Sequence, residues 1–206
     1  MLCSICQNTK FTSNDKERPY KCCTKCEALE RHRALWNRIA QSMLSPGSKV
    51  LEIAPLSKFI FGGFLKEIYP GIEYTSTDKY KNGNPNDPRV VTFCDKYCDL
   101  TELCVHFENN YYDVVLMQHV LEEIEDYHEA LHNINKVLKP GGRAILEIPC
   151  TSKTDDHEHH KANKFGNVWS FNQLQLQIEL SKIFKNVSTW NYVESNFKGS
   201  MFICKK

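Results

Sequence analysis

The sequence predicts an α/β protein: a seven-stranded, doubly wound sheet with an antiparallel C-terminal hairpin, preceded by a small metal-held module. Three observations predict it. From Lys49 onward short apolar runs alternate with amphipathic stretches, the pattern of strands covered by helices on both faces. The last two runs, "NVSTWNYV" and "GSMFICKK", are joined by a short loop, so they pair antiparallel. Ahead of both stand two Cys-x-x-Cys pairs, Cys3 with Cys6 and Cys23 with Cys26, at the two-knuckle spacing of a four-thiolate zinc ribbon.

Each cysteine pair puts two sulfurs on one tight turn, and two such turns make the tetrahedral set that Zn²⁺ prefers. Cys22 offers a second register, and the symmetry of the spacing favours Cys23. Four thiolates leave no open coordination position, so the metal is structural, and it supplies folding free energy to a segment too short for its own core. Residues 1–40 carry eight Lys and Arg against four Asp and Glu, and a zinc with four thiolates subtracts two charges from that excess. The remainder is weak support for nucleic-acid binding, which needs many neutralised phosphates. From Ala28 the apolar residues Leu29, Leu35, Trp36, Ile39 and Met43 recur at helical spacing. The expected organisation is therefore a ribbon over 1–27, a linking helix over 28–46 and a main domain over 47–206.

In the main domain "KVLEIA" reads as the first strand, "SKFIFGGFLKEIY" as a helix, and "IEYTSTD" and "RVVTFCD" as the second and third strands. "YYDVVLMQHV" is a strongly apolar fourth. The helix "DYHEALHNINKVL", the turn "KPGG" and the strand "RAILEIP" follow, then the helix "FNQLQLQIELSKIF" and the closing hairpin. Ligands of such sheets sit beyond the carboxyl ends of the strands. Glu52, Asp78, Asp99, and the pair His119 and Glu122 stand at those ends in order.

The bulk numbers exclude little and exclude it clearly. With 26 Lys and Arg against 25 Asp and Glu, no global field selects nucleic acid, acidic substrates or a membrane surface. "MLCSICQNTK" has no apolar stretch after basic residues, and no run approaches eighteen apolar residues. The ten cysteines then read as metal ligands and reduced thiols, and the expected location is the cytoplasm, with the nucleus as the alternative.

The segments "VLEIAP", "YTSTD", "CDLTEL" and above all "YDVVLMQHVLEEIEDYHEALHNINKVLKPGGRAILEIP" resemble, in order and over most of the chain, the class I S-adenosylmethionine-dependent methyltransferases (type 11-like), whose core is Rossmann-like. "CTKCEALERHRALW" resembles a subgroup with a zinc ribbon and an "ERHR" helix ahead of that core. The resemblance implies two cofactors, S-adenosylmethionine and a structural Zn²⁺. It implies that Glu52, Ala54 and Pro55 line the methionine end, that Asp78 binds the ribose, and that Asp99 and Leu100 flank the adenine. Gln118 joins the cofactor side and His119 faces the transfer site. The sequence departs from many members in having "EIAPLSKF" where they carry glycines.

A strong base is needed only for a poor nucleophile such as a hydroxyl. His119, and His157 in the run "TDDHEHHKANKFGNVWSF", are the candidates for it. Within that run Asp155 to His160 reads as a solvated loop, with a second cation site as the lesser alternative. Arg31, His32 and Arg33 spread around the helix, so they cannot all face one partner, and at least one is expected to reach over the cofactor pocket. Trp36 on the apolar stripe packs on the main domain. Three functions remain open: a methyltransferase on a small-molecule or sugar-type hydroxyl, one on RNA or protein docked through the ribbon, and an inactive adaptor.

Overall fold

In the computed structural model, residues 1–40, 43–55, 61–81, 94–194 and 197–206 are described. The sheet is built by strict alternation along its central strands. Leu51, Ile53, Val115, Met117, Ala144 and Leu146 face one side, and Val50, Val114, Leu116 and Ile145 face the other. Both faces are apolar, so both must be covered, and helices cover them.

Seven strands run in the order β10-β11-β7-β6-β3-β4-β5. They are β3 (Lys49–Ile53), β4 (Glu73–Asp78), β5 (Lys96–Tyr97), β6 (Tyr112–Gln118), β7 (Leu138–Glu147), β10 (Asn186–Glu194) and β11 (Phe197–Lys205). β3, β4, β5, β6 and β7 pair in parallel, and β11 joins β7 and β10 antiparallel. The strand order reverses beside β3, which places a ligand crevice at the carboxyl ends of β3 and β6. Helices α3 (Leu103–His106), α4 (Tyr127–Val137) and α5 (Gln173–Ile183) cover one face, while α1 (Glu30–Ala40) and α2 (Phe61–Ile68) cover the other.

Several helix ends follow from local chemistry. Asp126 and Asn172 accept from the backbone N–H groups of Glu129 and Gln175 at 3.1 and 3.0 Å, capping α4 and α5. Leu29 N–H donates to His32 Nδ1 at 3.1 Å, so this histidine fills the place a capping-box glutamate would take. α2 approaches β4 so closely that a Cβ on Gly62 would lie 2.5 Å from the Tyr74 ring. Glycine is required there by contact rather than by conformation.

The N-terminal module is a hairpin of β1 (Phe11–Thr12) and β2 (Cys22–Cys23) with a cysteine loop on either side. It is held to the sheet by α1. Trp36 stacks on Phe61 at 6.1 Å with the rings 6° apart and meets Phe64 edge-on.

The sheet departs from the sequence reading in two places. Residues 89–93 of the expected third strand lie outside the described residues, and the described strand at that edge is Lys96–Tyr97. Asp95 instead accepts from Ser76 N and Oγ at 2.7 and 2.8 Å. "KPGG" is not a free turn: β7 begins at Leu138, and its register with β6 shifts between Tyr112 and Val114. Lys139 fastens this irregular stretch by pairing with Asp113 at 2.8 Å. A short third sheet joins β8 (Glu158–His159) to β9 (Trp169–Ser170). Among the described residues no helix is long and apolar enough to cross a membrane.

Candidate active site and cysteine cluster

The sulfurs of Cys3, Cys6, Cys23 and Cys26 all lie within 4.8 Å of one another, with Cys3 and Cys26 at 3.7 Å and Cys6 and Cys23 at 3.5 Å. Four sulfurs around one zinc at about 2.3 Å stand about 3.8 Å apart, so the spacing fits that ion and is far too long for a disulfide. The two loops have one shape. Gln7 N–H donates to Cys3 O and Glu27 N–H to Cys23 O, both at 2.9 Å, and Gln7 and Glu27 both carry positive φ, 60° and 58°. This repeat starts at Cys23. Cys22 turns its sulfur toward Glu27 O at 3.4 Å. Burial alone would raise the Cys23 thiol, but N–H groups of Cys26 and Lys25 and the Asn8 amide bring it down to about 6.

A cleft of about 920 Å³ opens over the carboxyl ends of β3, β4 and β6. Ala54, one residue past β3, and His119, one past β6, both have left-handed backbones, with φ of 49° and 54°. For residues with a Cβ this costs about 1–2 kcal/mol each, and such strain collects where function requires it. The missing glycine of the first loop is thus met by an alanine held in a glycine's conformation. Its N–H donates to Thr77 O at 2.7 Å.

Glu52 is 6% exposed and accepts from the Tyr74 hydroxyl at 2.5 Å. Burial drives its carboxyl up to about 7, although hydrogen bonds from Tyr74 and Phe61 oppose the rise. Asp78, at the end of β4, accepts from Tyr80 N–H at 3.1 Å and lines the cleft. Asp99 caps the short helix Leu100–Glu102 and is ion-paired with Lys79 at 2.7 Å. Burial would raise the Asp99 carboxyl, but Lys79 and Thr101 hold it below the usual range. Leu100, Met117 and Gln118 complete this end of the wall, whereas Pro55 is buried and does not line it.

Beyond β6 lies a buried charged cluster. His119 Nδ1 is 3.5 Å from Glu122 Oε1 and its Nε2 is 3.8 Å from Glu147 Oε1. Glu147 also accepts from Gln118 Nε2 and from the Tyr192 hydroxyl. Burial would lower the imidazole, but these carboxylates raise it to about 9. Glu122 is 2% exposed, and its Oε2 has no partner among the described residues.

Leu29, just ahead of α1, and Arg31, His32 and Leu35 on it close the cleft from the other side. Gln118 Nε2 donates to Arg31 O at 3.3 Å. Burial and the nearby charges of Arg31, His119 and Arg33 keep His32 neutral, well below its ordinary value. Arg33 points away from the cleft. Phe165 and Asn167, from the segment after β7, stand at the rim beside Glu123, Glu125 and Asp126.

His157 does not reach this place. It sits against Phe171 and Tyr127, its Nδ1 accepts from Asn172 N–H at 3.0 Å, and its Nε2 lies 3.4 Å from Glu179. The expectation of His157 as a base at the transfer site is therefore corrected: the ring packs between α4 and α5. Among the described residues, the four cysteines are the only His, Cys, Asp or Glu group whose ligand atoms converge, so residues 155–160 form no second cluster. Sequence reasoning expected one of Arg31, His32 and Arg33 over the pocket without choosing among them, and missed Glu147 altogether. Glu147 looks like an ordinary strand residue, and only the register of β7 beside β6 brings it to His119.

A family model described as "Methyltransferase domain" matches residues 27–178, beginning one residue after Cys26. The ubiquinone/menaquinone biosynthesis C-methyltransferase UbiE of Burkholderia vietnamiensis is 35% identical over 123 residues, which are 56% of this chain and 49% of that protein. The chain thus spans about half the length of the curated relatives it matches. Among solved structures, a SAM dependent methyltransferase from Archaeoglobus fulgidus superposes with a TM-score of 0.58 at 16% identity, over 84% of this chain and 91% of that one. The 1,6-didemethyltoxoflavin-N1-methyltransferase of Burkholderia thailandensis, solved with S-adenosylhomocysteine, gives 0.55 at 16% identity, over 79% and 72%. At such identities these two structures bear on the fold.

Proposed function

The chain belongs to the methyltransferase-domain family, and on that premise we propose that it is an S-adenosylmethionine-dependent methyltransferase acting on a hydroxyl of a small or sugar-like acceptor. The observation that carries this reading is His119 at the end of β6, which lines the cleft with Glu122 and has the carboxylates of Glu122 and Glu147 beside its two ring nitrogens. Proton acceptance is what a hydroxyl nucleophile needs and a better nucleophile does not.

In this reading Glu52 and the Ala54 backbone hold the methionine end of the cofactor, with Pro55 behind them. Asp78 takes the ribose hydroxyls, Asp99 and Leu100 bound the adenine, and Gln118 closes the floor. When bound, the cofactor supplies a methyl group on a positively charged sulfur, open to direct displacement. The chain's own work is alignment and proton handling. His119 Nε2, the looser of its two contacts, would take the proton that the acceptor hydroxyl gives up. Glu122 and Glu147 stabilise the imidazolium that results.

The cleft volume falls within the range of small-molecule sites, roughly 300–1,000 Å³. A polyanion such as RNA would meet Glu123, Glu125 and Asp126 at the rim, which disfavours it. Cys3, Cys6, Cys23 and Cys26 hold a structural zinc in a ribbon over 1–27, the helix segment 28–46 links it, and 47–206 is the catalytic domain. None of the ten cysteines is in a disulfide, which suits a reducing, cytoplasmic setting.

The test is transfer of labelled methyl from S-adenosylmethionine into a cell extract, separated into protein, nucleic acid and small-molecule or glycan fractions. Label in the last fraction, absent with Asp78→Ala, is expected. Label in nucleic acid or protein would replace the acceptor class. Absence of both label and cofactor binding would leave an adaptor.

A further inference from the structure

The sheet ends on two edges of different kind. β5 is two residues long and carries Lys96, and shortness and lysine both keep an edge from pairing with another chain. β10 is nine residues long, reads "NVSTWNYVE" and pairs with β11 over its whole length in one unbroken register. It has no lysine, arginine, proline or bulge to blunt it. Its one charge, Glu194, stands at the end and is held by Arg33 at 3.0 Å. The register tells which of its backbone groups point outward. Lys206 N–H donates to Gly142 O on β7, whereas Lys205 O accepts from Lys185 N–H on the β10 side, so Lys205 and every second residue before it turn toward β10. Their partners there are Asn186, Ser188, Trp190, Tyr192 and Glu194. Val187, Thr189, Asn191 and Val193 therefore turn their N–H and C=O groups outward, and none of these groups has a partner among the described residues.

The ground beside this edge is apolar. Val193 is 67% exposed, and Leu174 and Ile178, one turn apart on α5, are 68% and 52% exposed. α5 is tied alongside β10: Gln173 Nε2 donates to Asn191 Oδ1 at 3.2 Å, and Thr189 Oγ1 donates to Gln177 Oε1 at 2.9 Å. Trp190 thus lies level with the middle of the turn from Gln173 to Gln177, and Leu174 and Ile178 fall on either side of that level. We propose that β10 pairs antiparallel with β10 of a second copy of this chain about a two-fold axis at Trp190, so that one sheet runs through the dimer. Val187 then faces the partner's Val193 and Thr189 the partner's Asn191, each pair exchanging two backbone hydrogen bonds, and Leu174 meets the partner's Ile178. A two-fold contact needs a surface that matches itself, residue i on j and j on i, and a charge near the axis would meet its own like. Neither Val187 to Val193 nor the pair Leu174 and Ile178 carries one. That neutrality and the symmetric spacing about Trp190 select a second copy over an acidic or basic partner.

Sedimentation equilibrium of the full chain, with amide hydrogen exchange read residue by residue by NMR, tests this. The chain should pass from monomer to dimer as its concentration rises. The amides of Val187, Thr189, Asn191 and Val193 should be protected at high concentration and exchange freely on dilution. Those of Ser188, Trp190 and Tyr192, which face β11, should stay protected throughout. Leu174→Lys combined with Ile178→Lys sets like charges against each other at the axis and should weaken the dimer by about a hundredfold or more. Both side chains are exposed, so the variant keeps the fold, and unchanged protection at Ser188, Trp190 and Tyr192 certifies that it does. A chain that stays monomeric at every concentration overturns the proposal. So does a dimer whose four outward amides exchange as they do in the monomer, or one that the two lysines leave intact.

Discussion

Arg33 and Glu194 form an ion pair at 3.0 Å between α1 and the end of β10, 161 residues apart in sequence, with the arginine side chain wholly buried. The same guanidinium donates to Ala28 O at 2.9 Å and to Tyr20 O at 2.7 Å, and it lies over the Phe11 ring. One side chain therefore ties the cysteine module, the helix and the sheet together. Only the planar fork of arginine can reach three acceptors in different directions.

Replacing Arg33 should be costly for that reason. Arg33→Ala leaves Glu194 and two carbonyls unmatched and is expected to destabilise the protein by about 3–5 kcal/mol. Arg33→Lys should recover little of it. Denaturant unfolding measures the loss, and limited proteolysis should show cleavage within residues 1–40 first. A variant as stable as wild type would mean that the module is held by Trp36 and its apolar neighbours alone.

The cysteine module should be coupled to the cleft in the same way. Cys3→Ser with Cys6→Ser is expected to remove one equivalent of zinc by elemental mass spectrometry. It should also weaken S-adenosylhomocysteine, because α1 carries part of the cleft wall. Metal content equal to wild type would refute the four-cysteine site. Metal loss with full affinity would show that α1 stays docked through Arg33 and Trp36 without it.

Much of this was legible in the sequence, and what was not has physical reasons. The cysteine spacing and the apolar periodicity are local signals, and the structure places Cys3, Cys6, Cys23 and Cys26 together and the sheet in its expected seven-stranded form. Asp78 and His119 were visible because strand ends are readable from where an apolar run stops. Glu147 was not, and which of Arg31, His32 and Arg33 reaches the cleft was not, since a carboxylate inside a strand or a cation on a helix shows its direction only once the neighbouring element is placed. His157 misled for the same reason: its run of acids and histidines is polar in composition, yet the ring turns inward to Phe171.

Glu52 should make stability fall with rising pH. Its carboxyl is raised from an ordinary 4.5 to about 7, so the folded chain binds that proton more tightly than the unfolded one. By linkage, stability declines as pH climbs from about 4.5 to 7 and is level above, a loss on the order of 3 kcal/mol. Glu52→Gln keeps an acceptor for Tyr74 and removes the ionisation. It should be more stable than wild type at pH 8 and bind S-adenosylmethionine poorly. A pH-stability profile identical in the two proteins would refute this account.

His119 should leave its signature in the pH dependence of transfer. The imidazole is raised to about 9 because two carboxylates outweigh its burial and the nearby Arg31 charge. As a base it works only when deprotonated, so kcat/KM should climb with pH, reach half its plateau near 9 and level off above that. In Glu122→Gln one of the supporting carboxylates is gone, and the limb should move to lower pH by about one unit. The shift is read from the shape of the profile, so it survives any loss of affinity that the same substitution causes. His119→Asn should abolish the limb together with most of the rate. A wild-type profile flat from pH 7 to 10 would show that no proton leaves the acceptor through this histidine, and the acceptor atom would then be a nitrogen, sulfur or carbon already able to attack unaided.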